Sequence, residues 1–244
     1  MPTNDLNLYV ARAVLDLAHR PEGFDPLELL HDLTAQAVAL LPVRCAGITV
    51  RNEQGQVVYV TASDMTCAGL EEDQIELDEG PCLDSVRTEQ SLPLTLLTSP
   101  WAAERWPRFT FRARRVGIRA VAAVRLPLPH MTFGALNLMM AGPPYVTSRD
   151  LELADVLAKA AAVALTHQRL LAGRDEVVAQ LQTALDSRLV IEQAKGVLSA
   201  TLNVSVDEAF TRLRAHARAR GQKLTVLSTR IALGDIPHDL VPAP

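Results

Sequence analysis

Two pairs of short apolar runs set the strongest limit on what this chain can fold into. CAGITV (45–50) and VVYVTA (57–62) are separated by a short stretch around NEQGQ, and AVAAVRLPL (120–128) and TFGALNLMM (132–140) are separated by PHM. Runs this close pair antiparallel, because a parallel neighbour needs a crossover of a dozen or more residues. A further β-type run, SLPLTLL (91–97), lies between the two pairs. Around them the spacing predicts helices at residues 4–19, with Leu6, Val10, Val14 and Leu15 in helical register, and from Pro26 to Leu41, with Leu29, Leu30, Leu33, Ala37 and Leu40 on one side. Residues 64–90 read as acidic and irregular to helical, and Arg108 to Arg115 as a short helix. This order implies an α+β domain with helices on one side of an antiparallel sheet.

From Ser148 the texture changes. Ser148 suits a helix N-cap with Asp150 and Glu152 in the first turn, and nothing breaks the helical pattern before Gly173. One glycine costs a helix only about 1 kcal/mol, so the helix reads on toward residue 202. Leu157, Ala161, Ala164, Leu171, Val178 and Leu185 keep a seven-residue rhythm, while Gln168, Asp175 and Gln182 take the alternate seam positions. Two readings stand: a helix packed on its own domain, and a homodimeric coiled coil. Ser205 to Glu208 form a capping box for a helix whose Val206, Ala209, Phe210, Leu213 and Ala217 share a face, with Gly221 placed to end it. A last short helix, Thr225 to Leu233, stops before Gly234 and Pro237, so the C-terminal part reads as a small all-α bundle.

The chain has 244 residues, 48% of them hydrophobic, and a net charge of -4, which suits two cores and excludes both a disordered chain and a general polycation. The charge is unevenly placed. Residues 188–230 hold eight bases and three acids, a net of +5, and the remainder is therefore at -9. Clustered Lys and Arg supply the phosphate contacts that dominate nucleic-acid affinity, whereas a solvated helix face is the plainer alternative. Phe210 reads as part of the apolar face, so no aromatic is expected among these bases and base stacking is not the expected mode of recognition. The longest charge-free stretch, Leu126 to Ser148, contains four prolines and is not a membrane span. The first residues lack the basic start of an export signal, and Cys45, Cys67 and Cys82 fit neither a disulfide framework nor zinc spacing, so a cytoplasmic protein with reduced thiols is expected. His31 and His130 have no neighbouring ligand pattern, and neither a metal nor a cofactor is expected.

Arg188-Leu-Val-Ile-Glu-Gln-Ala-Lys-Gly-Val-Leu198, with Ser205 to Glu208, Ala209-Phe210, Leu213-Arg214, Ala217 and Lys223-Leu224, resembles an ANTAR domain over roughly residues 180–235. The resemblance implies a three-helix module of bacterial antitermination regulators, which binds RNA hairpins with paired hexanucleotide loops and prevents a terminator from forming. Arg188 and Lys195 are then the foremost candidates for RNA contact, followed by Arg214, Arg218 and Lys223, with Ala194 and Gly196 small enough for close approach. Ile191, Val197, Leu198, Phe210, Leu213 and Leu224 read as core. Ser199 stands where the family often has methionine, and Leu227-Ser228 where Val-Ala is common; both read as packing variation.

Residues 26–170 resemble a GAF domain, carried by Asp78 to Glu89, Arg105-Trp-Pro-Arg-Phe109, Gly117 to Val121 and Gly134 to Leu138. That resemblance implies a sensor of a small molecule or other signal, with Cys82, Arg119 and Asn137 as candidates to line the pocket. The expected layout is an N-terminal helix at 1–25, the GAF sensor at 26–170, a helical linker at 171–187, the ANTAR unit at 188–235 and a tail at 236–244. The expected function is a non-enzymatic, signal-responsive RNA-binding antiterminator, with a homodimer as a further possibility and no membrane partner. A DNA-binding regulator and a redox enzyme or sensor acting through Cys82, with Cys67 as its partner, are the alternatives. The basic run Arg112, Arg114, Arg115, Arg119, Arg125 and the acidic run Glu71 to Glu79 are read either as screening one another or as an anion pocket.

Overall fold

Five strands form one antiparallel sheet in the order β2-β1-β5-β4-β3, where β1 is Cys45–Arg51, β2 Val57–Ala62, β3 Leu92–Leu96, β4 Ala120–Leu128 and β5 Met131–Met140. The computed structural model describes residues 3–52, 57–129, 131–172, 190–238 and 240. The chain divides into two compact units, Met1–Val177 and Val178–Pro244. Both expected hairpins pair as read, β1 with β2 and β4 with β5.

Residues Cys45 to Val50 of β1 are buried without a break, so both faces of the sheet are covered. On one face α2 (Pro26–Leu40) packs on β1 and α7 (Ser148–Ala172) on β4, with α1 (Thr3–Ala18) against α7. Ala46, Ile48, Val50, Leu136 and Leu138 have the strand parity of this face. On the other, α3 (Met65–Leu77) packs on β1 and β2, α4 (Pro81–Thr88) on β4 and β5, and α6 (Pro107–Arg115) against α3. The expectation of helices on one side only is therefore corrected. Residues 64–90 hold two complete helices, and α5 (Pro100–Arg105), unread in the sequence, precedes α6; together they make the second layer.

Local chemistry accounts for the helix starts. Asp25 accepts the Leu27 amide at 2.9 Å ahead of Pro26 at the first helical position, and Asp64 accepts the Cys67 amide at 2.8 Å. The Ser99 hydroxyl likewise accepts the Ala102 amide at 3.2 Å to begin α5. In α7 the heptad residues Leu157, Ala161 and Ala164 are buried, and Gln168 donates to the Phe24 carbonyl at 3.0 Å. Over the described residues this stripe packs on its own domain. Gly173, Asp175, Val178, Gln182 and Leu185 lie outside the described residues, as does the side chain of Leu171.

The second unit contains α8 (190–202), α9 (Val206–Ala219) and α10 (Leu224–Ala232), whose inner faces bury Ala194, Leu198, Ala209, Leu213, Ala217, Leu224, Leu227 and Ile231. Ser205 accepts the Glu208 amide at 3.1 Å, and Gly221, at φ +58°, closes α9 as read.

Where β5 meets β1, a Cβ on Gly134 would lie 2.3 Å from the Thr49 carbonyl oxygen, a backbone atom that cannot turn aside. Gly134→Ala is expected to cost about 2–3 kcal/mol by forcing the two strands apart, read as a lower urea midpoint at unchanged slope; an unchanged midpoint would refute the close approach.

Candidate functional site

The basic surface of the second unit is smaller than its charge count suggests. Arg212 pairs with Glu208, Arg230 with Asp235 at 2.7 Å, and Lys195 with Glu192 at 2.8 Å. Lys195 is 7% exposed, and its ammonium also lies 5.1 Å from the Phe210 ring centre. The Arg214 guanidinium approaches the same ring at 6.0 Å. Phe210 is half-buried between two cations, so the expectation that no aromatic accompanies the bases is overturned. The reason is its place on α9 at the edge of the apolar face, where a large ring reaches past the core.

The other candidates separate cleanly. Arg218 and Lys223 are exposed, and Arg188 lies outside the described residues. Ala194 is fully buried and serves the bundle core. Gly196 is exposed, and a Cβ built on it meets nothing within 4 Å, so no internal packing demands a glycine there. Ser199 donates to the Val204 carbonyl and buried Ser228 to the Leu224 carbonyl, both at 2.7–2.8 Å, so both departures from the family pattern are internal.

In the first unit the pocket candidates part company. Cys82 and Asn137 face the layer of α3 and α4, whereas Arg119 is on the surface. Between them lies a carboxylate that the sequence did not single out. Glu71, fully buried on α3, accepts hydrogen bonds from Thr49 Oγ1 at 2.8 Å, Asn137 Nδ2 at 2.8 Å and Gln74 Nε2 at 3.0 Å. Gln74 Oε1 in turn accepts the Cys82 amide at 2.9 Å, and Asn137 Oδ1 has no hydrogen-bond partner. Two glycines make the room: a Cβ on Gly47 would lie 2.5 Å from Glu71, and one on Gly80, held at φ +134°, 2.4 Å from Gln74. Burial pushes the Glu71 carboxyl up to about 7 against the opposing hydrogen bonds from Asn137, Thr49, Cys82 and Gln74. Burial, then the Glu71 charge, also pushes the Cys82 thiol well up, the reverse of an activated nucleophile. Cys67 keeps company with Met139 at 3.6 Å and with Cys45 rather than with Cys82.

The motif strings lock onto one another. Buried Asp84 accepts Arg105 Nε at 2.7 Å, Arg105 Nη2 at 2.9 Å and Trp106 Nε1 at 2.9 Å. Glu79 accepts the amides of Arg108 and Phe109 at the start of α6. Burial raises the Glu79 carboxyl, but the Arg108 guanidinium and these amides outweigh it and hold it below its ordinary value. Arg112 pairs with Asp73 and Glu76, so the two charge runs screen each other here, while Arg114, Arg115 and Arg119 are exposed. Among the described residues no helix is long and apolar enough to cross a membrane. His130 lies outside the described residues.

Residues 25–165 match the family model of the GAF domain, and residues 179–231 that of the ANTAR domain. No curated protein matches the chain. Among solved structures, the GAF domain of an Acinetobacter phosphoenolpyruvate-protein phosphotransferase is 13% identical with a TM-score of 0.49, covering 72% of this chain and 100% of its own. The corresponding domain from Coxiella burnetii is 12% identical at a TM-score of 0.49, covering 70% and 98%. A GAF domain/HD domain protein from Geobacter sulfurreducens is 19% identical at 0.46, covering 64% and 98%.

Glu71 has a consequence for stability. Its folded-state value near 7 lies above the ordinary 4.5, so between these values the folded chain holds a proton that the unfolded chain has released. Stability is therefore expected to fall by about 3 kcal/mol as pH rises through that window, and Glu71→Gln should flatten the slope. Urea midpoints at several pH values test this; equal slopes in the two proteins would refute it.

Proposed function

The chain belongs to the GAF domain family and carries an ANTAR domain behind it, and from that premise we propose that it is an RNA-binding transcription antiterminator whose RNA affinity is set by a signal received in the GAF unit. GAF and ANTAR are sensory and regulatory domains, so the chain is a signal-responsive regulator. In the proposed layout the sensor spans 26–170, the linker 171–187 and the RNA-binding unit 188–235.

One observation carries the RNA reading: an exposed glycine in the middle of α8, adjoining Lys195. A glycine within a helix costs about 1 kcal/mol relative to alanine, and nothing inside the unit requires Gly196 to lack a side chain. An external partner approaching the backbone supplies the reason. Lys195 and Arg214, gathered at Phe210, with exposed Arg218 and Lys223 on the following helical elements, give that partner cations. The ring between them also offers an edge for a splayed base, as loop RNA presents and duplex DNA does not. The proposed target is the leader hairpin with paired hexanucleotide loops implied by the ANTAR domain.

A second observation supports a homodimer. Val156, Val163 and Leu170 of α7 recur at seven-residue steps and are 45, 58 and 77% exposed. They adjoin a groove of about 590 Å³ lined by Pro127, Pro129, Lys159, Val163, His167 and Leu170. Leu8 and Leu15 repeat the step on α1, which packs against α7. A second copy covers this apolar surface in the proposed assembly.

Two measurements test these readings. Binding to a paired-hexaloop RNA, a loop-scrambled RNA and duplex DNA at two salt concentrations is expected to favour the first. Gly196→Leu should abolish that preference without lowering the melting temperature, while Lys223→Ala should reduce the salt slope by about 1. Equal binding to all three nucleic acids would overturn the RNA reading. Val163→Glu with Leu170→Glu is expected to halve the mass in sedimentation; an unchanged mass would place the dimer contact elsewhere or remove it.

A further inference from the structure

Three sulfur atoms converge in the core of the first unit, apart from the Glu71 cluster. Cys45 on β1 and Met139 on β5 are directly paired across the sheet, with side chains on the same face. Cys67, in the first turn of α3, comes down on this pair: its Sγ lies 3.6 Å from Met139 Sδ, and it shares one buried cluster with Cys45 and Met139. All three side chains are buried, within a cluster that includes Leu70, Leu97, Ile118 and Val121. We propose that Cys45, Cys67 and Met139 form a binding site for Cu(I), a soft monovalent cation, in the GAF unit.

The donor set selects the ion. Two thiolates and one thioether are soft ligands without a nitrogen or oxygen among them, which suits Cu(I) and excludes Mg²⁺ and Ca²⁺. Zn²⁺ calls for four ligands, and among the described residues no three His, Cys, Asp or Glu side chains group to hold a metal. Both cysteines are free thiols, and the thioether of Met139 3.6 Å from one of them supplies the third donor of a three-coordinate site. On binding, each thiol gives its proton to solvent, and the two thiolates and the thioether donate electron pairs to the cation. The site then carries one net negative charge, and the Arg44 guanidinium, which feels both thiols, lies near enough to stabilise it.

Entry and consequence are both visible. Arg44 adjoins Cys45 in sequence, Asp64 caps the turn that holds Cys67, and these two form an ion pair whose arginine side chain is half-exposed. In the proposal the ion enters past this surface pair. Glu71 lies four residues beyond Cys67, on the same side of α3, so tightening Cys67 onto β1 and β5 acts directly on the helix that carries the buried carboxylate. The site does not depend on what the second unit binds.

The test uses the reduced full chain, titrated anaerobically with Cu(I) against the chromophoric chelator bicinchoninate, followed by X-ray absorption at the copper edge. One copper per chain held against the chelator, with three sulfur neighbours, is expected. Cys45→Ala and Cys67→Ala should each weaken retention by at least about tenfold, and Met139→Leu, which keeps the volume, should leave only two sulfur neighbours. Cys82→Ala should retain the copper, because the Cys82 sulfur, 3.5 Å from the Ala135 carbonyl, belongs to a different buried cluster from Cys45, Cys67 and Met139. Copper withheld as well by Cys45→Ala, a three-sulfur signal persisting in Met139→Leu, or no copper withheld by the unaltered chain would each overturn the proposal. Should the alanine variants fail to fold, the neighbour count in Met139→Leu decides it.

Discussion

The second layer of the GAF unit is organised around one buried carboxylate. Glu71 enters the interior without a cation, and the strands and helices nearby supply its partners: Thr49 from β1, Asn137 from β5 and Gln74 from its own helix. Desolvation still outweighs these donors together with the Cys82 thiol, as the upward shift shows. The cluster is therefore not there for stability at neutral pH. It does specify position. Gly47 is paired with Asn137 across the sheet, and only a residue without a side chain lets α3 bring Glu71 down at that register. Any slip of the strand would strand a charge in the core, which costs far more than an apolar mismatch.

Two further carboxylates tie the remaining helices to this centre. Asp84 on α4 holds the Arg105 fork and the Trp106 indole, which sets the turn between α5 and α6, and Glu79 holds the first amides of α6. These are charge-assisted hydrogen bonds with buried or partly buried acceptors, the strong class. The pairing of Arg112 with Glu76, which is mostly exposed, belongs to the class that contributes little. The family strings from 78 to 89 and from 105 to 109 are thus two halves of one set of internal links, with no need of a ligand to explain them.

Legibility in the sequence followed the range of the interaction. Both hairpins, the Ser205 cap and the Gly221 stop were readable because each is decided within a few residues. Of the layer of α3 to α6 only α6 was read as a helix; α3 was not, because it turns Glu71 and Gln74 inward, and a helix with polar residues on its buried face shows no apolar stripe. Of the pocket candidates, Asn137 and Cys82 were found near the centre, but Glu71 was hidden in an acidic run read as screening the basic run or as an anion pocket. The second unit misled in a related way: Lys195 reads as a free cation and Phe210 as core, yet each is half of a contact with the other. Side chains on different helices decide it, and spacing along one helix carries no trace of that.

The asymmetry between the two faces of the sheet bears on how a signal can act. The layer of α1, α2 and α7 packs through residues such as Leu17, Leu29, Leu30, Leu33 and Leu157, a close-packed apolar interior that yields little. The opposite layer holds the titratable carboxylate, the unpaired Asn137 Oδ1 and the three sulfurs. A ligand or proton can shift an equilibrium only where it interacts differently with two arrangements. Polar groups and soft donors offer that difference and methyl groups do not, so of the two layers that of α3 and α4 has the chemistry to respond to one. The exposed apolar residues of α7, Val156, Val163 and Leu170, stand on the opposite, close-packed layer, so the two faces of the sheet differ in kind as well as in position.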